Sequence, residues 1–411
     1  MISDLDIVYY GPEPWAGMWR NRHQLLSRLA RANRVLYIEP RPFLRAVIRG
    51  LRRGVLRAAD LTAGGVVPSS LDNLWLYQTP LYAAIGGGPL WRPLARMLRV
   101  RHLRQALRKL GMSRPVVWLS HPGQADARHD LPACLRIYHV VDEYLGYQGM
   151  DAGLRAWLAA QEEQIIAWAD LIIAVTPELV QAKGRGSPKA YLLPNAADVD
   201  AFHAALAHPA PLPPGVSRPV LGYVGLISAR LDLAGLAEVA ARRPGWSWLL
   251  VGDVVDNGCQ AELARLRALP NVHLVGARPA NQIPAIVASF DVGLIPYRVN
   301  EETRHASPLK LYEYLAAGLP VVSSDIPAVR EFAECVEIAT GADEMEAAIE
   351  RALREDSLPR RLARWSSVRG HSWDARVQTL SEILAGALRA RTEGQARPGD
   401  RPGTWHQAIN P

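Results

Sequence analysis

Cysteine is scarce in this sequence: Cys134, Cys259 and Cys335 lie far apart, are odd in number and show no C-x-x-C spacing. Such a set excludes a disulfide framework and offers no zinc-site pattern, and it fits a reducing cytoplasm. Long apolar runs are missing as well, since none approaches the ~18 residues that a spanning helix needs. Export is not expected either, because the opening MISDLDIVYY has acids where a signal would carry positive charge, and then passes straight into a strand-like run. The fingerprint G-x-G-x-x-G follows neither of the first strands of the two halves, and Gly86 to Gly88 follow no strand pattern. A nicotinamide-dependent dehydrogenase is therefore disfavoured.

Acidic residues are few in the first quarter. Residues 1–110 carry 18 Lys or Arg against 6 acids, whereas the remainder carries 29 against 34. The overall charge of +7 thus hides a basic N-terminal part, which calls for an anionic partner there and not elsewhere.

What is present is apolar patterning enough for folded domains: 49% of the 411 residues are hydrophobic, a globular proportion, and the length suits two domains. DIVYYG, then a Gly- and Pro-rich turn, then NRHQLLSRLARA at helical spacing, then RVLYIEP make a βαβ unit. PVVWLS, LRIYHVV, ADLIIAVT and AYLLPN continue the series with helices between several of them. After an Ala- and Pro-rich stretch the pattern resumes with PVLGYVG, WSWLLVGD, VHLVGA, FDVGLIPY and LPVVSSD. The reading is an α/β protein of two doubly wound, Rossmann-like domains facing a central cleft, with strand ends from both sheets on that cleft. The expected division is residues 1–203, a linker at 204–218, a second domain at 219–374, a helix at 375–392 and a disordered tail at 393–411.

PLKLYEYLAAGLPVVSSDIPAVRE resembles the donor-binding signature of GT-B glycosyltransferases of group 1, family 4-like, particularly those that assemble bacterial surface polysaccharides. Further resemblances follow in order: YYGPEPWAGMWRNRHQLLSRLARANRVLYIEP to the first βαβ unit, VVDEY to the mid-domain acidic motif, ADLIIAVTPELV and LLPNAADVDAF to the interdomain segment. NVHLVGARPANQIPAIVASFDVGLIPY resembles the run leading into the donor site. The resemblance implies a GT-B glycosyltransferase of hexosyltransferase type. It also marks departures. Eight residues before Glu313, where many retaining members have an acid, stands His305. Where many members have G-R-x4-K after the first donor-domain strand, Gly225 is followed by Leu226, with Arg230 one position short of the lysine site.

The residues themselves agree with a donor site. Ser307 suits an N-cap and Pro308 the start of a helix, whose free N–H groups favour a phosphate. Lys310 supplies a point charge to a diphosphate, and Glu313, a turn on, has acceptor oxygens for ribose hydroxyls. Arg230 is the substitute phosphate ligand beside Gly225. Glycosyl transfer also needs a base near the acceptor hydroxyl, and two candidates stand at strand ends: His121 after VVWLS and Asp142 after IYHVV. Both remain open, Asp142 being favoured because the pair of acids is incomplete. In PEPWAGMW, Gly17 permits close backbone approach, Trp15 and Trp19 offer sugar-stacking faces, and Arg22 follows as an acceptor or phosphate contact.

PFLRAVIRGLRRGVLRAADL and WRPLARMLRVRHLRQALRKLG carry 5 and 7 cations interleaved with apolar residues. They read as basic amphipathic helices on an anionic inner-membrane surface, with Arg96, Arg99, Arg101 and Arg104 as contacts and the protein peripheral on the cytoplasmic face. No nucleic-acid motif accompanies the charge. The expected partners are a nucleotide-diphosphate sugar as co-substrate and a lipid-linked or oligosaccharide acceptor. No metal or other cofactor is expected. The alternative is a non-catalytic GT-B scaffold that binds a nucleotide sugar.

Overall fold

The computed structural model describes residues 1–396 apart from 148 and 188. The chain forms two α/β domains, each built on its own sheet. The first sheet holds β1 (Asp6–Tyr10), β2 (Arg34–Ile38), β3 (Gly65–Pro68), β4 (Leu74–Gln78), β5 (Val116–Leu119), β6 (Leu135–Val140), β7 (Leu171–Ala174) and β8 (Ala190–Leu192), in the order β3-β4-β2-β1-β5-β6-β7-β8. The second holds β9 (Val220–Val224), β10 (Ser247–Val251), β11 (Val272–Leu274), β12 (Val292–Ile295), β13 (Val321–Ser323) and β14 (Val336–Ile338), in the order β11-β10-β9-β12-β13-β14. Every named pairing is parallel except that of β3 on β4.

The parallel strands are apolar almost throughout because helices cover both faces. In β1, Val8 and Tyr10 face one core cluster while Ile7 and Tyr9 face the other. Three strands escape the sequence reading. β3 is short and half exposed at the sheet edge, β14 spans three residues with Glu337 in its middle, and β4 sits directly behind a turn. β3 and β14 lack the continuous apolar run that marked the others, whereas β4 has one in Leu74–Tyr77.

Four helices of the first domain matter below: α1 (Asn21–Leu29), α2 (Leu44–Arg52), α3 (Trp91–Lys109) and α4 (Ala152–Trp168). The C-terminal helix, Trp373–Ala396, returns to the first domain, where Trp373, Val377, Leu380 and Leu384 join the cluster of Ile7 and Leu25. Residues 393–396, expected in the tail, continue this helix, and residues 397–411 lie outside the described residues.

Both sheets place a switch of strand order toward the site. In the first, β1 lies between β2 and β5; in the second, β9 lies between β10 and β12. Ligands of open sheets bind beyond the carboxyl ends of strands at such points. The segments leaving β1, β5, β9 and β12 carry Glu13, His121, Gly225 and Tyr297 respectively.

Candidate functional site

The second-domain side of the cleft is built around Lys310, on the first turn of the helix Leu309–Ala316. Its side chain is buried, its ammonium donates to Tyr297 Oη at 2.9 Å, and it lies 4.8 Å from the Tyr223 ring centroid and 5.1 Å from that of Tyr297. Burial alone would disfavour the ammonium, but the two tyrosine oxygens outweigh it and hold Lys310 above the ordinary lysine value. The proton therefore stays on the lysine. Gly225, with φ +141°, faces it: a Cβ there would stand 3.3 Å from Lys310 Nζ and 3.0 Å from the Tyr223 hydroxyl. Only a glycine leaves that space open while taking that backbone conformation.

Glu313 lies one turn beyond Lys310. Burial pushes its carboxyl up to about 7, opposed by the charge of Lys310, so the group changes charge near neutral pH. Pro308, not Ser307, caps the helix, and it does so with no side-chain hydrogen bond. A proline's extended φ suits that position, which moves Ser307 one residue out. The Ser307 carbonyl instead accepts from Asn195 Nδ2 at 2.6 Å, and Asn195 Oδ1 accepts from Asn21 at 2.6 Å. The donor loop is thus tied to the first domain. His305 Nδ1 bonds to the Glu301 carbonyl at 2.9 Å.

Arg230 crosses the cleft. Its guanidinium lies 3.5 Å from Asp142 Oδ2, 3.4 Å from Glu302 Oε1 and 5.2 Å above the centroid of Tyr297. Although burial disfavours the charge, Asp142, Tyr297 and Glu302 hold Arg230 above its ordinary value. Its Nε is buried without a hydrogen-bond partner among the described residues. The loop of Asp142 reaches the donor domain at Gly146 as well, where a Cβ would stand 3.1 Å from the Glu302 nitrogen.

Asp142 and His121 face the same cleft in different states. Asp142 accepts from the Tyr147 hydroxyl at 2.9 Å and from the Glu143 N–H at 3.1 Å. Next to it, Glu143 pairs with the buried Lys183 at 2.8 Å, and Lys183 also holds Glu162 at 2.9 Å, which fixes this loop from behind. His121 Nδ1 accepts from the Gly123 N–H at 3.0 Å, and burial holds the imidazole below its ordinary value. The neutral ring then carries its proton on Nε2, so it presents a donor rather than a base.

In the loop 12–20, Trp15 is buried against His23 and Tyr37, at centroid distances of 4.6 and 5.0 Å, and offers no sugar face. Trp19 is exposed and stacks on His23 at 5.5 Å. Gly17, at φ +121°, has no atom within 4 Å of an added Cβ. Arg22 is buried, bonds Glu13 at 2.9 Å and leaves its Nε without a partner among the described residues.

The four arginines of α3 do not share a surface. Arg99 is turned inward, donating to the Ala83 carbonyl at 3.0 Å and pairing with Asp126 at 3.6 Å, so it cannot meet a membrane. Arg96 and Arg104 reach back to Asp130, to its carboxylate at 3.2 Å and its carbonyl at 3.3 Å. Arg101 is exposed. Sequence reasoning also missed Tyr297, Tyr223, Glu302 and Asn195. Tyr297 ends FDVGLIPY at a switch-point strand, and that position is the signal that marks it.

Solved structures share this two-domain fold. A UDP-forming trehalose-phosphate synthase from Burkholderia xenovorans aligns with a TM-score of 0.64 at 13% identity, covering 95% of this chain and all of that one. Sucrose-phosphate synthase from Thermosynechococcus elongatus gives 0.66 at 17%, covering 94% and 100%, and Anabaena HepE in complex with UDP and glucose gives 0.63 at 13%, covering 93% and 99%. A Bacillus subtilis protein provisionally named a teichuronic acid biosynthesis glycosyltransferase, TuaH, is 31% identical over 178 residues. That match spans 42% of this chain and 45% of the relative, less than half of its length. No described helix is long and apolar enough to cross a membrane. The fold is of the GT-B kind, and residues 218–355, which hold Gly225, Arg230, Lys310 and Glu313, match the family model of group 1 glycosyl transferases.

Proposed function

We propose that this protein is a hexosyltransferase that moves a sugar from a nucleotide-diphosphate sugar to a lipid-linked or saccharide acceptor in the synthesis of a bacterial surface polysaccharide. The observation that carries the proposal is the convergence of Lys310, at the start of the helix Leu309–Ala316, and Arg230 on Tyr297, with Gly225 beside Lys310. Two cations and a helix N-terminus suit a diphosphate leaving group, and Glu313 suits the ribose. The named activity of the TuaH relative and the UDP bound by HepE support the same reading.

The reaction breaks the bond from the anomeric carbon to the diphosphate oxygen and forms one to the acceptor oxygen, whose proton passes to Asp142. Lys310 and Arg230 take up the charge that develops on the diphosphate, so no metal is required. When Arg230 turns to the diphosphate, it leaves an oxygen of Asp142 for the acceptor. His121, with its proton on Nε2, donates to a sugar hydroxyl. The acceptor enters past Gly17, Trp19 and Arg22.

The membrane partner belongs to the same proposal, on a surface shifted from that expected. Ile48 and Leu51 on α2, with Phe43 and Val55 flanking it, and Leu94 and Met97 on the first turns of α3, with Leu90 before it, are exposed beside the arginines of α2. Phe43 pairs with Ile85 as a bridge, which brings the two segments side by side. This surface suits an anionic inner membrane and a peripheral enzyme on its cytoplasmic face.

Incubating the full chain with a panel of nucleotide sugars and bacterial lipid extract tests the activity. Release of nucleotide diphosphate with sugar transferred to the lipid fraction is expected, undiminished by chelator. Binding of a donor without turnover would instead leave a donor-binding scaffold, and binding of none would refute the donor site.

A further inference from the structure

The cleft is not where the basic N-terminal domain concentrates its cations. A cavity of about 680 Å³ opens at the opposite end of the first sheet, lined by Arg104, Arg108, Arg128, Arg136 and Arg391, with no acid among its lining residues. Arg136 is the second residue of β6 and Asp142 follows that strand's end, which separates cavity and cleft by roughly 20 Å along the strand. The volume falls within the range of small-molecule sites.

The five arginines come from four separate parts of the chain: α3, the turn before Asp130, β6 and the C-terminal helix. Asp170, just behind the wall, takes a two-point bond from Arg136 and a contact from Arg391, and so offsets part of their charge. Arg104, Arg108 and Arg128 make no ion pair with an acid among the described residues. Arg128 donates to the Ala125 carbonyl at 2.6 Å, and Arg104 to that of Asp130. Trp168 forms an apolar wall, with the Arg136 guanidinium 5.8 Å from its ring centroid, beside Leu107, Met112 and Leu131. Slight burial and the nearby charges of Arg128, Arg96 and Arg136 hold the rim residue His129 below its ordinary value.

We propose that this cavity is a second, non-catalytic binding site for a phosphate-bearing ligand with an apolar or ring-shaped portion that lies on Trp168. Guanidinium groups suit phosphate oxygens through paired hydrogen bonds, and the cavity joins several of them to an apolar wall. The ligand is either a free phosphorylated metabolite or the headgroup of an anionic lipid, which share this chemistry. The site also accounts for part of the basic α3 that the membrane surface does not use.

Calorimetric titration of inorganic pyrophosphate into the full chain tests the proposal, in a Lys310→Met background so that the donor cleft contributes no site. One site is expected, weakened at least tenfold by Arg108→Gln with Arg128→Gln. Neither residue takes part in the donor cleft, so nucleotide-sugar binding in the otherwise native chain should not change. No binding in the Lys310→Met protein, or binding indifferent to the two glutamines, overturns the site. Should Lys310→Met fail to fold, the otherwise native chain should bind pyrophosphate at two sites, of which the glutamine pair removes one; a single site untouched by that pair overturns the proposal equally. Phosphatidylglycerol vesicles separate the sources. A headgroup ligand predicts that the glutamine pair also lowers vesicle binding, and a free metabolite predicts that it does not.

Discussion

The two walls of the cleft differ in how firmly they hold their polar groups. On the second-domain wall Lys310 is fixed between two tyrosines beside the glycine Gly225, and Arg230 is held by two carboxylates and a ring. On the opposite wall Trp19 and Gly17 stand exposed on a loop, while Asp142, His121 and Arg22 have defined partners. A diphosphate is the same in every donor and rewards preorganised charge. On the proposed reading the acceptor varies, and it enters past the exposed part of that loop.

The comparison can be broken in several ways. The largest effect is expected of Asp142→Asn, which should lower turnover by about 10²–10⁴-fold while donor affinity stays near its original value. Wild-type turnover would remove the base from this wall. Tyr297→Phe should weaken donor binding by roughly tenfold or more, since it deletes a hydrogen bond to a buried cation worth about 1.5–3 kcal/mol. If only kcat fell and the donor Kd held, Tyr297 would belong to the chemistry rather than to the donor wall.

Glu313→Gln gives a smaller, pH-dependent effect. The folded value of about 7 lies above the ordinary 4.5, so the group's contribution to stability is whole below pH 4.5 and is lost as pH rises through 7. The variant should match the original protein in thermal melts near pH 4.5 and exceed it at pH 8. In the original protein donor KM should fall as pH rises through about 7, because ribose hydroxyls need an ionised acceptor; a flat KM would take Glu313 out of the ribose site. The smallest contrast separates two arginines of α3. Arg99→Gln should cost about 1–3 kcal/mol in urea unfolding through its buried partners, and exposed Arg101→Gln less than about 0.5. Equal effects would contradict the inward placement of Arg99.

The α/β class and the order of the long apolar strands are legible in the sequence because strands buried on both faces need continuous apolar runs. β3 and β14 lack such runs and gain their place from the neighbours they pair with. At the site, Lys310 and Glu313 are readable from their spacing on one helix. Tyr223 and Glu302 are not, because the contacts that give them roles join segments far apart in the chain, and Tyr297 is marked only by its place at the end of a switch-point strand. Arg99 shows the converse: its periodic, basic helix reads as a surface, yet burial depends on Asp126 and Ala83 from elsewhere. The two tryptophans of the loop read alike, and both reach His23, so packing on Tyr37 and burial set Trp15 apart from Trp19.

The central claim, that the Lys310 wall binds a nucleotide-diphosphate sugar, is tested most directly by thermal melts of the original protein and Lys310→Met across a panel of nucleotide sugars. A donor at 100 times its Kd adds about 2.7 kcal/mol to stability. The account predicts that at least one nucleotide sugar raises the melting temperature of the original protein and that Lys310→Met, still folded, loses that rise. A rise that survives in Lys310→Met, or none with any nucleotide sugar, would contradict it.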